Sequence, residues 1–319
     1  MGDKTGIAWT DATWNPISGC VAVSEGCEHC YARGVAERFA GTPAYPHGFD
    51  LTLRPHVLDQ PLRWTRPRMI FVNSMSDLFF EQVGTDYIAK VFAVMSLATA
   101  HTFQVLTKRA GRMRSLLNND TFVALVQSER AELAAARKTA EVGPAPWPLP
   151  NVWLGVSVEN QKWADVRIPA LLNTPAAIRF LSCEPLLGPV NLSAGTNPAV
   201  YLLNGFDRGL DWVIVGGETG PNARPMHSDW VRDIRERCTS HDVAFFFKQW
   251  GAWTPAPAHD PRYKGNVKGG FWSYQGDWAA FTIDGVPRAP DWILRVGPKA
   301  AGATLDGQTW AQFPATAVV

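Results

Sequence analysis

The stretch MIFVNSMSD, residues 69–77, changes character in its middle: four apolar residues give way to a mostly polar run that ends on an aspartate. The same grammar recurs at TFQVLTKR (102–109), NVWLGVSVEN (151–160), AIRFLSCEP (177–185), WVIVGGETG (212–220) and VAFFFKQWG (243–251). Near-continuous apolar runs of this length suit strands buried on both faces, the mark of parallel sheets. Helix-like stretches lie between them. TDYIAKVFAVMSLATA (85–100) opens on Thr85 as an N-cap with an aspartate behind it, and FVALVQSERAELAAARKTAEV (122–142) is rich in strong helix formers. HSDWVRDIRERCTSH (227–241) carries Trp230, Val231 and Ile234 at helical spacing.

Strand–helix–strand repetition means right-handed crossovers and an α/β fold. With ATWNPISG (12–19) as a first strand, the units suffice for a complete or partial (β/α) barrel over residues 1–251. An open doubly wound sheet is the alternative. GPAPWPLP (143–150) reads as a stiff loop inside that unit. Past residue 251 the grammar changes: TPAPAHDPRYKGNVKGG (254–270) is a loop by composition, and FWSY and WAAFTI are short aromatic runs. Residues 252–319 are therefore expected to form a small β-containing extension.

The chain of 319 residues is 46% hydrophobic and 18% charged, a globular composition, and its net charge of +1 exerts no global pull on nucleic acid or membrane. No apolar run approaches the roughly 20 residues of a membrane span. MGDKTGIAWTDATWNP lacks a signal-peptide core, and Gly2 alone is a thin myristoylation signal. The expectation is a cytoplasmic protein with no membrane partner, in a compartment that disfavours structural disulfides.

Ligands of α/β sheets and barrels bind at the carboxyl ends of the strands. Those ends read Asp77, Lys108–Arg109, Glu159–Asn160, Glu184, Glu218 and Lys248–Gln249. One such charge reads as a helix cap or an ion pair; six in register imply a polar ring on one face. The first strand runs into SGCVAVSEGCEHCYARGVAERF (18–39), which places Cys20, Cys27 and Cys30 beside that ring at C-x6-C-x2-C spacing. A structural zinc, completed by His29 or Cys20, is one reading of C-x2-C, although Cys183 and Cys238 are isolated and supply no second knuckle. A catalytic thiol needs one cysteine. Three thiolates also suit a [4Fe–4S] cluster, leaving one iron open. Spacing alone leaves zinc and cluster both standing.

The three-cysteine loop after a first barrel strand resembles the radical S-adenosylmethionine (SAM) superfamily, whose usual spacing is C-x3-C-x-aromatic-C. Here the first gap is six, and His29 holds the aromatic position. The wider chain is similar to a branch of radical-SAM-like phage and bacterial proteins. The matching stretches are TWNPISGC, CEHCYA, FVNSMSDLF, VLTKRAGRM, WLGVSVEN, RFLSCEPLLGP, VIVGGETGPNARPM, FFFKQWG and KAAGATLDGQTWAQFP. The resemblance implies a radical-SAM-type barrel with Cys20, Cys27 and Cys30 as ligands of a [4Fe–4S] cluster. It also implies SAM as co-substrate and an electron donor that reduces the cluster, so that SAM is cleaved to methionine and a 5′-deoxyadenosyl radical. Within that frame, His29, Ser74, Asp77, Glu159 and Asn160 are the candidate cofactor-binding residues, with Ser74 and Asp77 at the methionyl end and Glu159 with Asn160 at the ribose. Lys108, Glu184, Glu218 and Lys248 are the candidate catalytic residues. The superfamily's GGEP-type turn follows its second strand, whereas GGE here follows a much later one and reads first as a tight βα turn.

Distant similarity to spore photoproduct lyase suggests modification or repair of nucleic-acid bases. TLRPHVLDQPLRWTRPRM (52–69) offers Arg54, His56, Arg63, Arg66 and Arg68 around Trp64, where phosphates would meet cations and a base would stack. The same segment reads equally as a solvated crossover loop. The alternative function is an iron–sulfur, nucleic-acid-binding or nuclease-like protein that does not use SAM. The resemblance further suggests a small three-Cys-motif partner protein.

Overall fold

The computed structural model describes residues 5–138, 142–192, 209–255, 267–272, 278–283 and 292–315. Seven strands make one sheet in sequence order: β1 (Ala12–Trp14), β2 (Met69–Val72), β3 (Thr102–Thr107), β4 (Val152–Ser157), β5 (Ile178–Cys183), β6 (Trp212–Gly216) and β7 (Ala244–Gln249). Every pairing is parallel, with registers such as Ala12↔Ile70, Val105↔Leu154 and Ser182↔Ile214. The fold is mixed α/β, and its seven-stranded parallel sheet is compatible with a partial barrel. Among the described residues, the helices of eight residues or more are α1 (Tyr31–Arg38), α2 (Thr85–Leu97), α3 (Ala110–Leu117), α4 (Asp120–Ala136), α5 (Gln161–Leu172) and α6 (Ser228–Ser240).

Alternation along the strands divides the core into two layers. Ile70, Val72, Phe103, Val105, Leu154, Val156, Leu181, Val213, Val215, Phe245 and Phe247 join the helices in one large cluster. The opposite face carries Phe71, Trp153, Phe180, Trp212, Ile214 and Phe246, closed by Trp9. Trp9 meets Phe71 and Trp212 edge-on at 4.7 and 6.1 Å, which ties β2 to β6 across the concave side. Gly155 gives way to the Phe180 ring, which lies where a side chain on that residue would project. Each inward series then turns polar toward the carboxyl end: Leu106 to Lys108, Trp153 and Gly155 to Ser157, Phe180 to Ser182 and Glu184, Phe246 to Lys248. The pattern of period two thus builds an aromatic floor under a polar mouth.

Helix ends differ from expectation in informative ways. α2 is capped by Gly84 rather than Thr85, and α4 starts at Asp120 because the Asn119 side chain accepts a hydrogen bond from Phe122 N at 3.1 Å. Residues 139–141 of the expected helix 122–142 lie outside the described residues. α5 is a helix that periodicity alone does not announce, since Pro169 reads as a breaker; it stands late in the helix, where it removes only one backbone bond.

The segment after residue 251 contributes β8 (Trp253–Pro255), β9 (Val267–Trp272), β10 (Trp278–Ile283) and β11 (Trp292–Arg295), an antiparallel sheet in the order β8-β11-β9-β10. Much of the expected 254–270 loop and of the 252–319 extension lies outside the described residues. Beyond β11 the chain returns to the parallel sheet. Ala301 and Leu305 enter the large core cluster, Trp250 Nε1 donates to Thr304 O at 2.8 Å, and Phe247 N donates to Trp310 O at 2.9 Å. Ala311 bridges Phe246 antiparallel, so residues 310–312 cover the free edge of β7. Packing therefore continues past the break that composition suggests at 251. Among the described residues, no helix is long and apolar enough to cross a membrane.

Candidate functional site

At the carboxyl ends of the strands lies a cavity of about 670 Å³, a size ordinary for a ligand or cofactor site. Cys20, Cys27 and Cys30 line it together with His29, Ser74, Asp77, Lys108, Glu184, Glu218 and Lys248. Its floor is Trp9, Phe71 and Leu106. Of the residues proposed from sequence to hold the cluster, bind the cofactor or act in catalysis, Glu159 and Asn160 alone stand outside this lining.

The cysteine loop is bound on all sides before any metal is considered. Gly19, at φ +86°, lets the chain turn against the backbone of Asp50, which no side chain at that position would allow. Arg109 donates through Nη2 to Val21 O at 3.0 Å and through Nη1 to Cys20 Sγ at 3.4 Å. Ser24 Oγ donates to Glu159 Oε1 at 2.7 Å, and Trp163 Nε1 donates to Glu25 Oε2 at 2.6 Å. Gly26 leaves room for the Glu159 carboxylate. On the far side Arg224 donates to Glu25 O at 2.9 Å and to Glu28 Oε2 at 2.7 Å. Cys30 is the N-cap of α1, at the positive end of its dipole.

All three thiols are half-buried and none forms a disulfide. Burial pushes the Cys20 thiol up to about 11 against the pull of Arg109, so the free thiol is protonated at neutral pH, whereas a bound metal deprotonates it outright. Among the described residues, no group of three or more His, Cys, Asp or Glu side chains is gathered closely enough to hold a single metal ion. His29 is turned to Glu218, with Nδ1 3.1 Å from Oε2. Three soft sulfurs therefore stand on the cavity wall, on a loop held by its own clamps.

The strand-end charges divide into two kinds. Asp77 is saturated by its own protein: Oδ1 accepts from Phe79 N (3.0 Å) and Thr107 Oγ1 (2.7 Å), and Oδ2 from Lys108 N (2.9 Å) and Arg109 Nη1 (3.2 Å). It organises the turn after β3 and steadies Arg109. Glu159 is fully buried beneath the cysteine loop, with Lys108 Nζ and Arg167 Nη1 each at 2.8 Å. Burial raises its pKa, but the two cations outweigh burial and hold it below the usual carboxylate range. Asn160 caps α5 by accepting from Trp163 N at 3.3 Å. Both residues expected at the ribose are therefore committed to the scaffold. Ser74 Oγ is bonded to the Asn15 side chain at 3.1 Å, and its carbonyl accepts from Tyr31 OH at 2.5 Å.

The second kind forms its pairs on the cavity wall itself. Lys248 Nζ and Glu184 Oε1 pair at 2.6 Å, each about one-fifth exposed. Glu218 takes Arg224 in a fork at 2.6 and 2.9 Å; burial raises its pKa but the Arg224 hydrogen bonds more than offset it, and the carboxyl stays ionised. The turn that carries Glu218 is the GGE motif: a side chain on Gly217 would run into the Trp250 carbonyl, so glycine there serves close backbone approach. Sequence reading missed Arg167 and Arg224 altogether and gave Arg109 no role. The available signal for Arg167 was its place two turns into a helix that Glu159 and Asn160 precede.

The basic segment 52–68 starts beside the cysteine loop, where Thr52 and Leu53 pair antiparallel with Ser18 and Ile17, and then runs away from the cavity. Arg68 and His101 immediately precede β2 and β3, at the amino ends of the strands and opposite the cavity. Trp64 packs edge-on to His101 at 6.0 Å, and the Arg68 guanidinium covers its ring at 4.9 Å. Arg63 pairs with Asp59 at 2.5 Å, and Arg54 is buried. Arg68 therefore occupies one face of Trp64, and these cations do not border the cavity.

No curated protein and no solved structure matches the chain. A family described as a protein of unknown function (DUF5131) matches residues 4–314, nearly the whole length that carries the sheet, the cysteine loop and the segment covering β7. The chain belongs to the DUF5131 family.

Proposed function

We propose that the protein is a [4Fe–4S] enzyme of the radical SAM type, with the cluster on Cys20, Cys27 and Cys30 and the cavity as its reaction chamber. One observation carries this reading: three unpaired thiols stand on the wall of a single cavity at the carboxyl ends of seven parallel strands, beside the charged groups of those same strands. When bound, the cluster and SAM supply one-electron reductive cleavage of the sulfonium, with the electron drawn from an external reductant. The chain's own part is to hold and shield. Arg109 and Arg224 fix the loop from two sides, and Trp9 and Phe71 keep the floor apolar. Lys248 spends one of its three ammonium donors on Glu184 and lines the cavity, so it is suited to hold an anionic group or deliver a proton there. His29 and Glu218 form a second pair beside it, since β6, which leads to Glu218, lies between β5 and β7.

The test is anaerobic reconstitution with iron and sulfide, followed by reduction in the presence of SAM. Iron bound to the wild-type protein and release of 5′-deoxyadenosine with methionine are expected. A full cluster with no cleavage of SAM replaces this reading by the second one, an iron–sulfur protein that does not use SAM. The observation favouring that second reading is the commitment of Asp77, Glu159 and Asn160 to internal hydrogen bonds, which removes three of the polar groups expected to meet SAM. Absence of iron removes both.

A further inference from the structure

We infer that Arg109 is the positioning residue that sets the reduction potential of the centre on the cysteine loop, acting through Cys20; the inference rests on the cluster reading above. Its side chain is 5% exposed, and all three of its guanidinium nitrogens donate hydrogen bonds. Nη1 donates to Cys20 Sγ at 3.4 Å and to Asp77 Oδ2 at 3.2 Å, Nη2 to Val21 O at 3.0 Å, and Nε to Glu81 Oε2 at 2.9 Å. The Phe80 ring lies 4.8 Å from its central carbon. No other cationic side chain among the described residues donates a hydrogen bond to one of the three sulfurs.

Two physical effects point the same way. Hydrogen bonds to a ligating sulfur and net positive charge near a cluster both favour its reduced, more negative state. Both act here in a partly buried site, where a charge is worth more than in water. The two carboxylates on Arg109 temper that effect and differ in kind. Asp77 is buried and holds the guanidinium in place, whereas the Glu81 side chain is 63% exposed and touches only its outer edge. Glu81 is therefore a remote adjustment on the charge that Cys20 experiences, and it contacts neither the cavity nor the cysteine loop.

The signs are opposite and testable. In anaerobically reconstituted full-length protein, the midpoint potential is read by mediated titration with electron paramagnetic resonance. Arg109→Gln should make reduction at least about tenfold harder, a shift of about 59 mV to more negative potential for one electron. Arg109→Lys, which keeps the charge but not the fork, should recover part of the shift. Glu81→Gln should move the potential the other way by a smaller amount, and its exposed position keeps folding intact even if the Arg109 variants fold poorly. A role confined to packing would lower iron content or melting temperature and leave the potential where it was. A full cluster whose potential is the same in wild type, Arg109→Gln and Glu81→Gln overturns this inference and leaves the cluster reading untouched. A shift of Glu81→Gln in the same direction as Arg109→Gln also overturns it. A wild-type protein that binds no iron overturns both.

Discussion

Substituting Glu159 with glutamine removes a charge and little else, and the structure says what that charge supports. Its carboxylate is fully buried and bridges Lys108, Arg167 and the hydroxyl of Ser24 in the cysteine loop. Lys108 retains some access to solvent, but the Arg167 side chain is 1% exposed. In the glutamine variant Arg167 loses its buried counter-charge, and its remaining neighbours, the Ser157 carbonyl at 2.8 Å and the Trp163 ring 4.1 Å away, carry no charge to replace it. Removing one partner of such a buried pair costs about 3–5 kcal/mol, because the other charge is left uncompensated. For a chain of this size 1 kcal/mol moves the midpoint by roughly 2 °C, so the Glu159→Gln protein should melt about 6–10 °C lower. Differential scanning calorimetry checks this, and the double variant Glu159→Gln/Arg167→Met measures the coupling: the second substitution should restore part of the loss. Acid titration gives the sign independently. The folded pKa of Glu159 lies below the unfolded one, so its stabilisation is intact at neutral pH. It is lost only as pH falls below about 4.3 and through the folded value. A loss under about 1 kcal/mol, with no coupling to Arg167, would show that water screens this centre and that it does not anchor the loop.

Other substitutions probe the rest of the molecule. In iron-free native protein a thiol-alkylating reagent should label Cys20, Cys27 and Cys30 but spare Cys183 and Cys238, both fully buried and both raised by burial, Cys238 to about 12; equal labelling of all five would contradict the core. Alanine at any of the first three should lower bound iron after reconstitution, and alanine at Cys183 or Cys238 should not. Gly155→Ala forces a methyl group into the Phe180 ring and should cost about 1–3 kcal/mol by denaturant unfolding; unchanged stability would mean the concave face is not packed as described. Truncation after Gly302 strips Leu305 from the core and the backbone bonds from Phe247 and Phe245, and should yield a protein that melts earlier and self-associates in light scattering.

The parallel sheet was legible because each strand is buried on both faces and so writes its period as an unbroken apolar run. Residues 69–72, 102–107 and 212–216 show this plainly. The placement of the three cysteines beside the strand ends followed from topology alone, since the first crossover must start where the first strand stops. Three features stayed hidden for a common reason: contacts between side chains depend on how the chain folds back, which no local pattern records. Glu159 and Asp77 look like groups waiting for a ligand, yet arginines in later elements or strands saturate them. Arg167 and Arg224 stand only eight and six residues from Glu159 and Glu218, but sequence spacing alone does not say that the chain folds them back onto those carboxylates. Trp64 reads as a stacking platform among cations, but Arg68 lies on its face. The return of residues 310–312 to β7 was equally invisible, because an edge-covering segment needs no pattern of its own beyond a few backbone groups.

That return has a consequence for the birth of the protein. A parallel sheet assembled in sequence order grows one strand at a time as the chain is made, and each new strand hides the edge of the one before it. β7 is the exception: its row of unpaired amides and carbonyls stays open while the whole of the antiparallel β8–β11 segment is synthesised, and only Trp310 and Gln312 satisfy it. Throughout that interval the nascent chain presents a strand of Phe245, Phe246 and Phe247 with an open edge, the kind of template on which neighbouring chains add. Crowded ribosomes on one message would place such edges side by side, so the demand for chaperone cover should be greatest late in translation and should end when residues 310–312 seat.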